Sequence, residues 1–477
     1  MALAMILLPL LMAVFAVLIP SNRWRPWLLP LSAVAHGAMT LLALARPELD
    51  SYGSWLVLDP PGKLVLLVVS GLFLFCSFYA VGYLRYRRER SNRVFVSCLL
   101  AFLGAMSLVT WAHHLGLMWV AMEATTLSTA PLIYFNRSKK SIEATWKYLL
   151  VGSVGIALAL LGTFFLAYSA QVHALAPTLT LEGLLSEAPN LSKSWLRAAF
   201  ILLLVGYGTK MGLAPMHTWK PDAYGEAPGV VGAIFSGGIT SIAFLAFLRI
   251  YQIILAAGDG LFASRILLFM GLLSMAVAAL FLIGQRDFKR MLAYSSVEHM
   301  GILMVGLGIG APALYGTMFH VLTNSATKGV LFLSAGNIHR AYASKNTDQV
   351  RGALRRLPLS AALFVTGFLA ITGSPPFGPF MSEFAILNGA FDAGRFAAAA
   401  LFLLFLLVVF IGMGRTVLKV VQGRAPQGAS DSPYRDGFLT AAPVLALMLI
   451  VLAVGFYLPG PLSSLLHEAA AYLGGAA

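Results

Sequence analysis

Charge is scarce in this sequence. Aspartate, glutamate, lysine and arginine make up 11% of the 477 residues, whereas hydrophobic residues make up 59%, and the mean hydropathy is +0.82. Such a composition excludes a water-soluble domain and predicts a polytopic all-α membrane protein. The net charge of +14 does not indicate nucleic-acid binding, because the basic residues are spread over many short loops and share no single exposed face. We therefore expect a lipid bilayer around the chain and no nucleic-acid partner.

Cysteine is almost absent as well. Cys76 and Cys98 both lie in apolar runs and form no metal-ligand spacing, which argues against an iron-sulfur cluster or a structural zinc site. The sequence holds no Walker loop, and its GxG-type glycines lie in apolar runs, where close helix packing explains them better. We expect no cofactor, metal or redox centre in this chain.

Apolar runs of about 20 residues predict about fourteen transmembrane helices in one membrane domain, residues 1–477. The first run, which begins at Ala2, has no basic n-region and no cleavage site, so we predict that it is a retained helix and not a signal peptide. Basic residues, including Arg25, Lys220 and Lys289, concentrate in alternate loops; Arg249 belongs to the other side. This asymmetry predicts that the basic loops are cytoplasmic and both termini outside. We number the helices spans 1 to 14, with cores starting near Ala2, Trp27, Gly62, Val94, Leu115, Ala144, Leu196, Val230, Ile266, Met291, Ala313, Leu359, Ala397 and Leu439.

Prolines interrupt two of these spans. Pro215 follows Lys210 in span 7, and the three prolines of ITGSPPFGPF interrupt span 12. Because broken helices survive in a membrane only where the freed carbonyls face protein or water, both breaks predict a hydrated interior. The breaks are five helices apart, which predicts two inverted five-helix repeats over residues 93–255 and 263–421.

Four isolated ionisable residues, Glu123, Lys210, Lys328 and Glu383, lie inside apolar stretches. A charge at that depth costs several kcal/mol unless it is paired or hydrated, so these residues indicate function. Structural explanations stay open: either lysine can snorkel to an interface or pair structurally, and Glu383 can stabilise a helix start.

Further polar residues accompany these charges in spans 10 and 11. His320, Asn324 and Lys328 follow one another at i, i+4 and i+8, so they share one helix face that can hold a chain of waters. Glu298 and His299 are adjacent and point about 100° apart, so one is expected to face the interior and the other a neighbouring helix.

Histidine, and a desolvated lysine, can exchange protons near neutral pH. Glu123 near Lys210 would favour the charged lysine, and moving the two apart would favour proton release. The residues with this capacity are His217, His299, His320, Lys210 and Lys328.

Two further pairs have ambiguous roles. Glu143 and Lys147 have the i, i+4 order that stabilises a helix, so a structural and a functional pair are equally compatible with the sequence. His113 and His114 lie at a predicted outer helix boundary, which favours solvent exposure or an interface role.

The sequence resembles the large membrane subunits shared by respiratory complex I, Mrp-type cation/proton antiporters and membrane-bound hydrogenases. The resemblance covers spans 3 to 13 and is carried by WVAMEATTLSTAPL, GTKMGLAPMHTWKPDAYGEAP, RDFKRMLAYSSVEHMG and TKGVLFLSAGNI. The segments EATTL, SIEATWKY and YSSVEHMG are most similar to component F of hydrogenase-4.

This resemblance implies a proton-translocating subunit of a group 4 membrane-bound hydrogenase or related oxidoreductase complex in a bacterial inner membrane. The implied partners are other membrane subunits and hydrophilic hydrogenase-like or dehydrogenase-like subunits that transfer the electrons. By position, Glu123, Lys210 and Lys328 match the family's charged residues of helices five, seven and eleven, and Glu383 matches its exit-side acidic residue. The implied path enters near Lys210 and His217, crosses through His320, Asn324 and Lys328, and leaves by Glu383.

The sequence also departs from the family pattern. Span 8 offers Ser236, Thr240 and Ser241 where complex I subunits usually carry a lysine, and Asn324 stands where some relatives have a histidine. The long lateral helix of the most distal complex I subunit is missing after span 14. Two alternatives stay open: an Mrp-like sodium/proton antiporter subunit, and a membrane scaffold that does not pump.

Overall fold

The computed structural model describes residues 1–87, 89–172, 178–424 and 432–474. α-Helices make up most of this part of the chain, and each predicted span core begins in a helix or next to one. The predicted outer loop between spans 6 and 7 lies partly outside the described residues.

Spans 1 to 6 are continuous helices. A two-stranded antiparallel hairpin lies between spans 2 and 3, with strands β1 (Ser51–Tyr52) and β2 (Leu56–Val57) paired so that Ser51 is opposite Val57. The helices of this part are α1 (Ala2–Leu18), α2 (Leu28–Ala45), α3 (Pro60–Arg85), α4 (Arg93–Trp111), α5 (Leu115–Ile133) and α6 (Lys139–Gln171), followed by the short α7 (Leu181–Ser186).

The rest of the chain contains both interrupted spans. Span 7 forms α8 (Lys193–Met211) and α9 (Trp219–Glu226); span 8 forms α10 (Gly229–Ile234) and α11 (Thr240–Ala256), joined by a π-helical turn over Phe235–Ile239. Spans 9 to 11 are α12 (Gly260–Leu282), α13 (Phe288–Ile309) and α14 (Ala311–Tyr342). After α15 (Ala353–Arg356), span 12 forms α16 (Pro358–Ile371) and α17 (Gly378–Asp392); spans 13 and 14 are α18 (Phe396–Val421) and α19 (Phe438–Phe456), and an unpredicted α20 (Gly460–Gly474) follows.

Nine helical stretches in the described ranges are long and apolar enough to cross a membrane, and α1 and α16 are shorter apolar helices. The stretch from α10 to α11 and helix α13 are buried on all sides, whereas α6, α12 and α18 leave much of their surface exposed. Helix α14 packs against α10, α13, α16, α17 and α19. The centre of the molecule therefore lies around α14, where it packs against α10 and α13.

The break in span 7 is satisfied by protein groups. Gly212 ends α8 in the left-handed conformation with φ of 76°, which favours glycine. Trp219 Nε1 donates to the Thr209 carbonyl at 2.8 Å, and Lys220 Nζ donates to the Met211 carbonyl at 2.6 Å. Two carbonyls at the end of α8 thus find partners inside the protein, as a broken membrane helix requires.

The break in span 12 follows the predicted proline-rich segment. Helix α16 ends at Ile371, Gly373 has φ of 69°, and α17 begins at Gly378. The prediction of two interrupted spans is confirmed. The two inverted repeats, residues 93–255 and 263–421, stay a prediction.

Candidate functional site

Lys210 lies at the end of α8 with 1% of its surface exposed. Its ammonium donates a hydrogen bond to Thr126 Oγ1 on α5. Thr126 in turn donates to Glu123 Oε2 at 3.0 Å, and Glu123 is half-buried. The expected proximity of Glu123 and Lys210 is therefore present, but a threonine hydroxyl stands between the two charges.

An aromatic ring completes the surroundings of Lys210. The ammonium lies 5.4 Å from the centre of the Tyr148 ring, close enough for a cation-π interaction. The Tyr148 hydroxyl lies 2.7 Å from Thr129 Oγ1, one helical turn beyond Thr126 on α5. Lys210 is thus held inside the protein and does not snorkel to an interface.

His217 lies in the span 7 break and is buried, with 8% of its surface exposed. Its ring packs near Phe281 and Tyr294, with centroid distances of 6.4 Å and 6.1 Å. No hydrogen bond joins it to Lys210 among the described contacts, and its Nδ1 has no partner there. The structure therefore does not place these two predicted entry residues in contact.

Lys328 is fully buried on α14 and donates to Ser295 Oγ on α13 at 2.7 Å. Glu298, one turn further along α13 than Ser295, is 2% exposed and lies near Lys328. Since both groups are far from any helix end, an interfacial explanation of Lys328 does not fit.

His299 and His320 form a directly bonded imidazole pair. His299 Nδ1 lies 3.0 Å from His320 Nε2, with ring centroids 5.1 Å apart, and both residues are fully buried. His320 Nδ1 lies 2.9 Å from Ser382 Oγ, and Ser382 Oγ lies 2.9 Å from the Pro379 carbonyl oxygen.

Two tautomers of the pair are compatible with these contacts. Ser382 Oγ lies within hydrogen-bond distance of the Pro379 carbonyl, His320 Nδ1 and Thr323 Oγ1, and it can donate its single proton to only one of them. In both tautomers one proton lies between His299 Nδ1 and His320 Nε2. His299 Nε2 is buried and has no hydrogen-bond partner among the described residues. The two rings can therefore pass a proton through the hydrogen bond that joins them.

Glu383 lies on α17, directly after the span 12 break, and 4% of its surface is exposed. Its Oε1 lies 3.9 Å from His299 Nδ1 and has no hydrogen bond in the described chain. The residue also lines a cavity of about 280 Å³ between the break and α18, together with Thr372, Gly373 and Phe380. Glu383 thus lies between the histidine pair and a cavity whose other lining side chains, among them Phe384, Leu403 and Leu407, are mostly apolar.

The same residues offer ligands that could bind a metal ion. Ligand atoms of His299, His320 and Glu383 lie within 4.8 Å of one another. Two imidazoles and a carboxylate suit zinc. In the hydrogen-bonded arrangement present here, a metal would have to displace the proton between the two rings.

The predicted polar stripe of α14 is buried along its length. Asn324, between His320 and Lys328, is 1% exposed, and its Oδ1 has no partner in the described chain. In span 8, Ser241 donates to the Gly237 carbonyl at 2.6 Å and lies 3.0 Å from Ser325 Oγ. Its hydroxyl therefore serves the π-helical turn and the contact with α14.

Glu143 and Lys147 form the expected i, i+4 ion pair at 2.7 Å. Lys147 also binds Asp222 at 3.0 Å, and Arg290 binds the same carboxylate at 2.8 Å. These side chains line a polar cavity of about 290 Å³ together with Lys140, Pro221, Glu226, Asp287 and Lys345, and we call it the polar vestibule. The pair thus belongs to a larger charge network between α6, α9 and α13.

Several charges that the sequence assigns to loops are instead buried. The exposed fraction is 0% for Lys220 and 1% for Arg25, Arg249 and Lys289. Lys289, for example, donates to the carbonyls of Gly225 and Ala227. The sequence does not predict this burial, which arises because each long side chain reaches back to satisfy buried carbonyl or carboxylate groups.

His113 is also buried, contrary to its expected exposure. It lies 3.0 Å from Asp59 Oδ2, and Arg249 binds both oxygens of that carboxylate at 3.0 Å and 3.1 Å. Burial alone would raise the pKa of Asp59, but Arg249 and the hydrogen bond from His113 hold that pKa well below its usual range. His114, in contrast, caps α5 through Leu117 N and stacks on Trp55.

Sequence reasoning missed Thr126, Tyr148, Ser295, Ser382 and Lys220. The contact of Thr126 with Glu123 could have been predicted, because the two residues are three positions apart and share one helix face. The contacts of the serines could not, because their partners lie on other helices.

The fold and the site define a multi-pass membrane protein with buried charges arranged between two interrupted helices. A family model described as "NADH:quinone oxidoreductase/Mrp antiporter, TM" matches residues 112–412. The chain belongs to this family.

Individual relatives agree with this assignment. The chain is 35% identical to a hydrogenase-4 component F homolog of Methylacidiphilum infernorum, over 96% of both chains. It is 30% identical to NADH-quinone oxidoreductase subunit N of Desulforudis audaxviator, over 95% of this chain and 94% of the relative. It also shares its fold with a chain of the Mrp complex of a Dietzia species, with a TM-score of 0.85 at 22% identity, over 99% and 97% of the two chains.

Proposed function

We propose that this chain translocates protons as a membrane subunit of a complex related to the group 4 hydrogenases, in a bacterial inner membrane. Hydrophilic partner subunits would transfer the electrons, and this chain would move protons without a redox centre of its own. The observation that carries the proposal is the series of buried titratable side chains from Lys210 through Lys328 and the histidine pair to Glu383.

Protons would enter from the polar vestibule toward Lys210. Glu123 and Thr126 favour the charged lysine, because the threonine hydroxyl accepts from the ammonium and donates to the carboxylate. Movement of α5 against α8 would separate these groups and release the proton inward. The half-buried position of Glu123 supports such a change, since a neighbouring subunit could compete for its carboxylate.

The centre of the route would be Lys328, Glu298 and the histidine pair. When the shared proton is on His299 Nδ1, a proton arriving at His299 Nε2 allows the ring to release the Nδ1 proton to His320. His320 can then release its own Nδ1 proton beside Ser382. Because each ring gains one proton and loses one, the pair returns to neutrality with its tautomers reversed.

Glu383 would form the exit. Its Oε1 lies 3.9 Å from His299 Nδ1 and has no hydrogen-bond partner in the described chain, so it can take up a proton that the histidine pair releases. Buried polar atoms of His217, His299, Asn324 and Glu383 have no partner among the described residues, and they mark positions where water would complete the route.

The proposal is tested by Lys210→Ala in the intact complex, compared with Lys193→Ala at the exposed start of the same helix. We expect both variants to assemble, and only Lys210→Ala to abolish proton translocation in proteoliposomes. Full translocation by Lys210→Ala would contradict the proposal.

A second candidate function is sodium/proton exchange of the Mrp type. The unpaired Glu383 oxygen beside the span 12 break favours it, because carboxylate and freed carbonyl oxygens suit a hard cation. A sodium-dependent pH change by the purified complex without any electron donor would support this function. If no such change occurs, sodium/proton exchange is excluded and proton translocation remains the proposed function.

A further inference from the structure

Lys220 is a buried lysine that the route described so far does not use. It is the second residue of α9, and its side chain is 0% exposed. Its ammonium donates only to the carbonyls of Met211 at 2.6 Å and Ser296 at 3.3 Å, with no carboxylate partner in the described part of the chain. A buried ammonium without an opposite charge is costly, so its retention indicates a role beyond packing.

The two carbonyls place Lys220 between the two halves of the route. Met211 directly follows Lys210, and Ser296 directly follows Ser295, the hydrogen-bond acceptor of Lys328. The charges of Lys220 and Lys328 are also close enough to repel each other. Lys220 therefore lies between the end of α8, which carries Lys210, and the part of α13 whose Ser295 accepts a hydrogen bond from Lys328 of α14.

The surroundings of Lys220 offer polar groups to which water can bind. Its ammonium lies 5.6 Å from the centre of the Tyr224 ring. The Tyr224 hydroxyl and Ser296 Oγ are both buried, close to each other, and without a hydrogen bond to any other described residue. At Gly212, an added Cβ would lie 2.5 Å from Lys220 Cδ, so the glycine makes space for this side chain. Hydroxyls of this kind are binding sites for ordered water.

Span 8 offers no lysine that could relay a proton between Lys210 and Lys328. Ser236, Thr240 and Ser241 each donate to a carbonyl of their own span, at 3.2 Å, 2.6 Å and 2.6 Å. These hydroxyls are neutral and donate their protons to carbonyls, so none of them replaces a lysine as a proton carrier.

We propose that Lys220 is the proton-relay residue between Lys210 and Lys328, acting through water at Tyr224 and Ser296. This inference rests on the proposed function. In its neutral form the Lys220 amine accepts a proton released by Lys210 and becomes an ammonium. Repulsion from protonated Lys328 disfavours this uptake. Once Lys328 has discharged, Lys220 takes up the proton from Lys210, passes it to the neutral Lys328 side and returns to the amine.

The test compares Lys220→Met and Lys220→Gln with the control Lys289→Met in the intact complex. Lys289 is equally buried and also donates to two backbone carbonyls, but it lies at the start of α13, near the carboxylates of Asp287 and Glu226 and away from Ser295. Glutamine keeps a hydrogen-bond donor for the carbonyls and removes the exchangeable charge. Assembly is followed by native gel electrophoresis, and proton translocation is followed with a pH-sensitive dye in proteoliposomes.

We expect both Lys220 variants to assemble and to translocate protons about 100-fold more slowly, the effect of losing a positioned proton-transfer group. Lys289→Met should translocate at the wild-type rate. Wild-type translocation by either Lys220 variant would overturn the inference, and so would failure of both to assemble, which would indicate a structural role. If Lys220→Met pumps while Lys210→Ala does not, the relay is wrong and the proposed function stands.

Discussion

Thr126→Val would test how Lys210 holds its proton. Valine has nearly the shape of threonine but no hydroxyl, so it removes the group between Lys210 and Glu123 while filling the same space. The Lys210 ammonium would then keep only the Tyr148 ring, at 5.4 Å.

The magnitude follows from the contact that is lost. A hydrogen bond to a charged group contributes about 1.5–3 kcal/mol. Removing it should therefore weaken proton binding at Lys210 by about 10- to 150-fold, since about 1.4 kcal/mol corresponds to a factor of ten. If proton uptake at Lys210 limits translocation, the rate should fall by a similar factor.

The assay is the initial rate of proton translocation by the reconstituted complex, normalised to the amount of assembled complex. Thr125→Val is the matched control, because Thr125 is also buried on α5 but donates to the Met122 carbonyl at 2.6 Å. Only the Thr126 variant should be slow. Equal rates for Thr126→Val and wild type would refute the reasoning that this hydroxyl links the two charges.

Three further variants test other parts of the structure. Asp59→Ala leaves Arg249 buried without its carboxylate and should destabilise the protein by about 3–5 kcal/mol, measured as a lower unfolding temperature; an unchanged temperature would contradict this. His320→Leu should assemble but lose proton translocation, because it interrupts the imidazole pair; normal translocation would exclude His320 from the route. Gly271→Leu should lower the amount of protein in the membrane, because a Cβ at this position would lie 2.7 Å from the Gly301 carbonyl where α12 crosses α13.

Much of the fold could be predicted from the sequence because apolar runs must be long enough to cross a bilayer and prolines interrupt helices wherever they occur. The isolated charges Lys210, Lys328 and Glu383 were predictable for the same reason, since each stands alone in an apolar stretch. Helix α20 and the π-helical turn of span 8 were not predicted. The turn depends on a tertiary contact, in which Ser325 of α14 donates to the Gly237 carbonyl.

Lys220 shows why the rest of the site could not be predicted. It lies in the polar sequence HTWKPDAYGE, which has the composition of a loop. The fold places this segment inside the protein because Trp219 and Lys220 bind carbonyls at the end of α8. Likewise, the pairing of His299 with His320 joins two helices and leaves no trace in the spacing of either residue.

The central claim is that the buried charges carry protons, and Lys328→Leu tests it most directly. Electron transfer and proton translocation should both be measured in the assembled complex, with Lys419→Met on the partly exposed end of α18 as the control. We expect Lys328→Leu to assemble and to lose proton translocation, because no other lysine contacts Ser295 in the described chain. Wild-type electron transfer with a wild-type proton yield in Lys328→Leu would show that the charges are idle and that the chain is a scaffold.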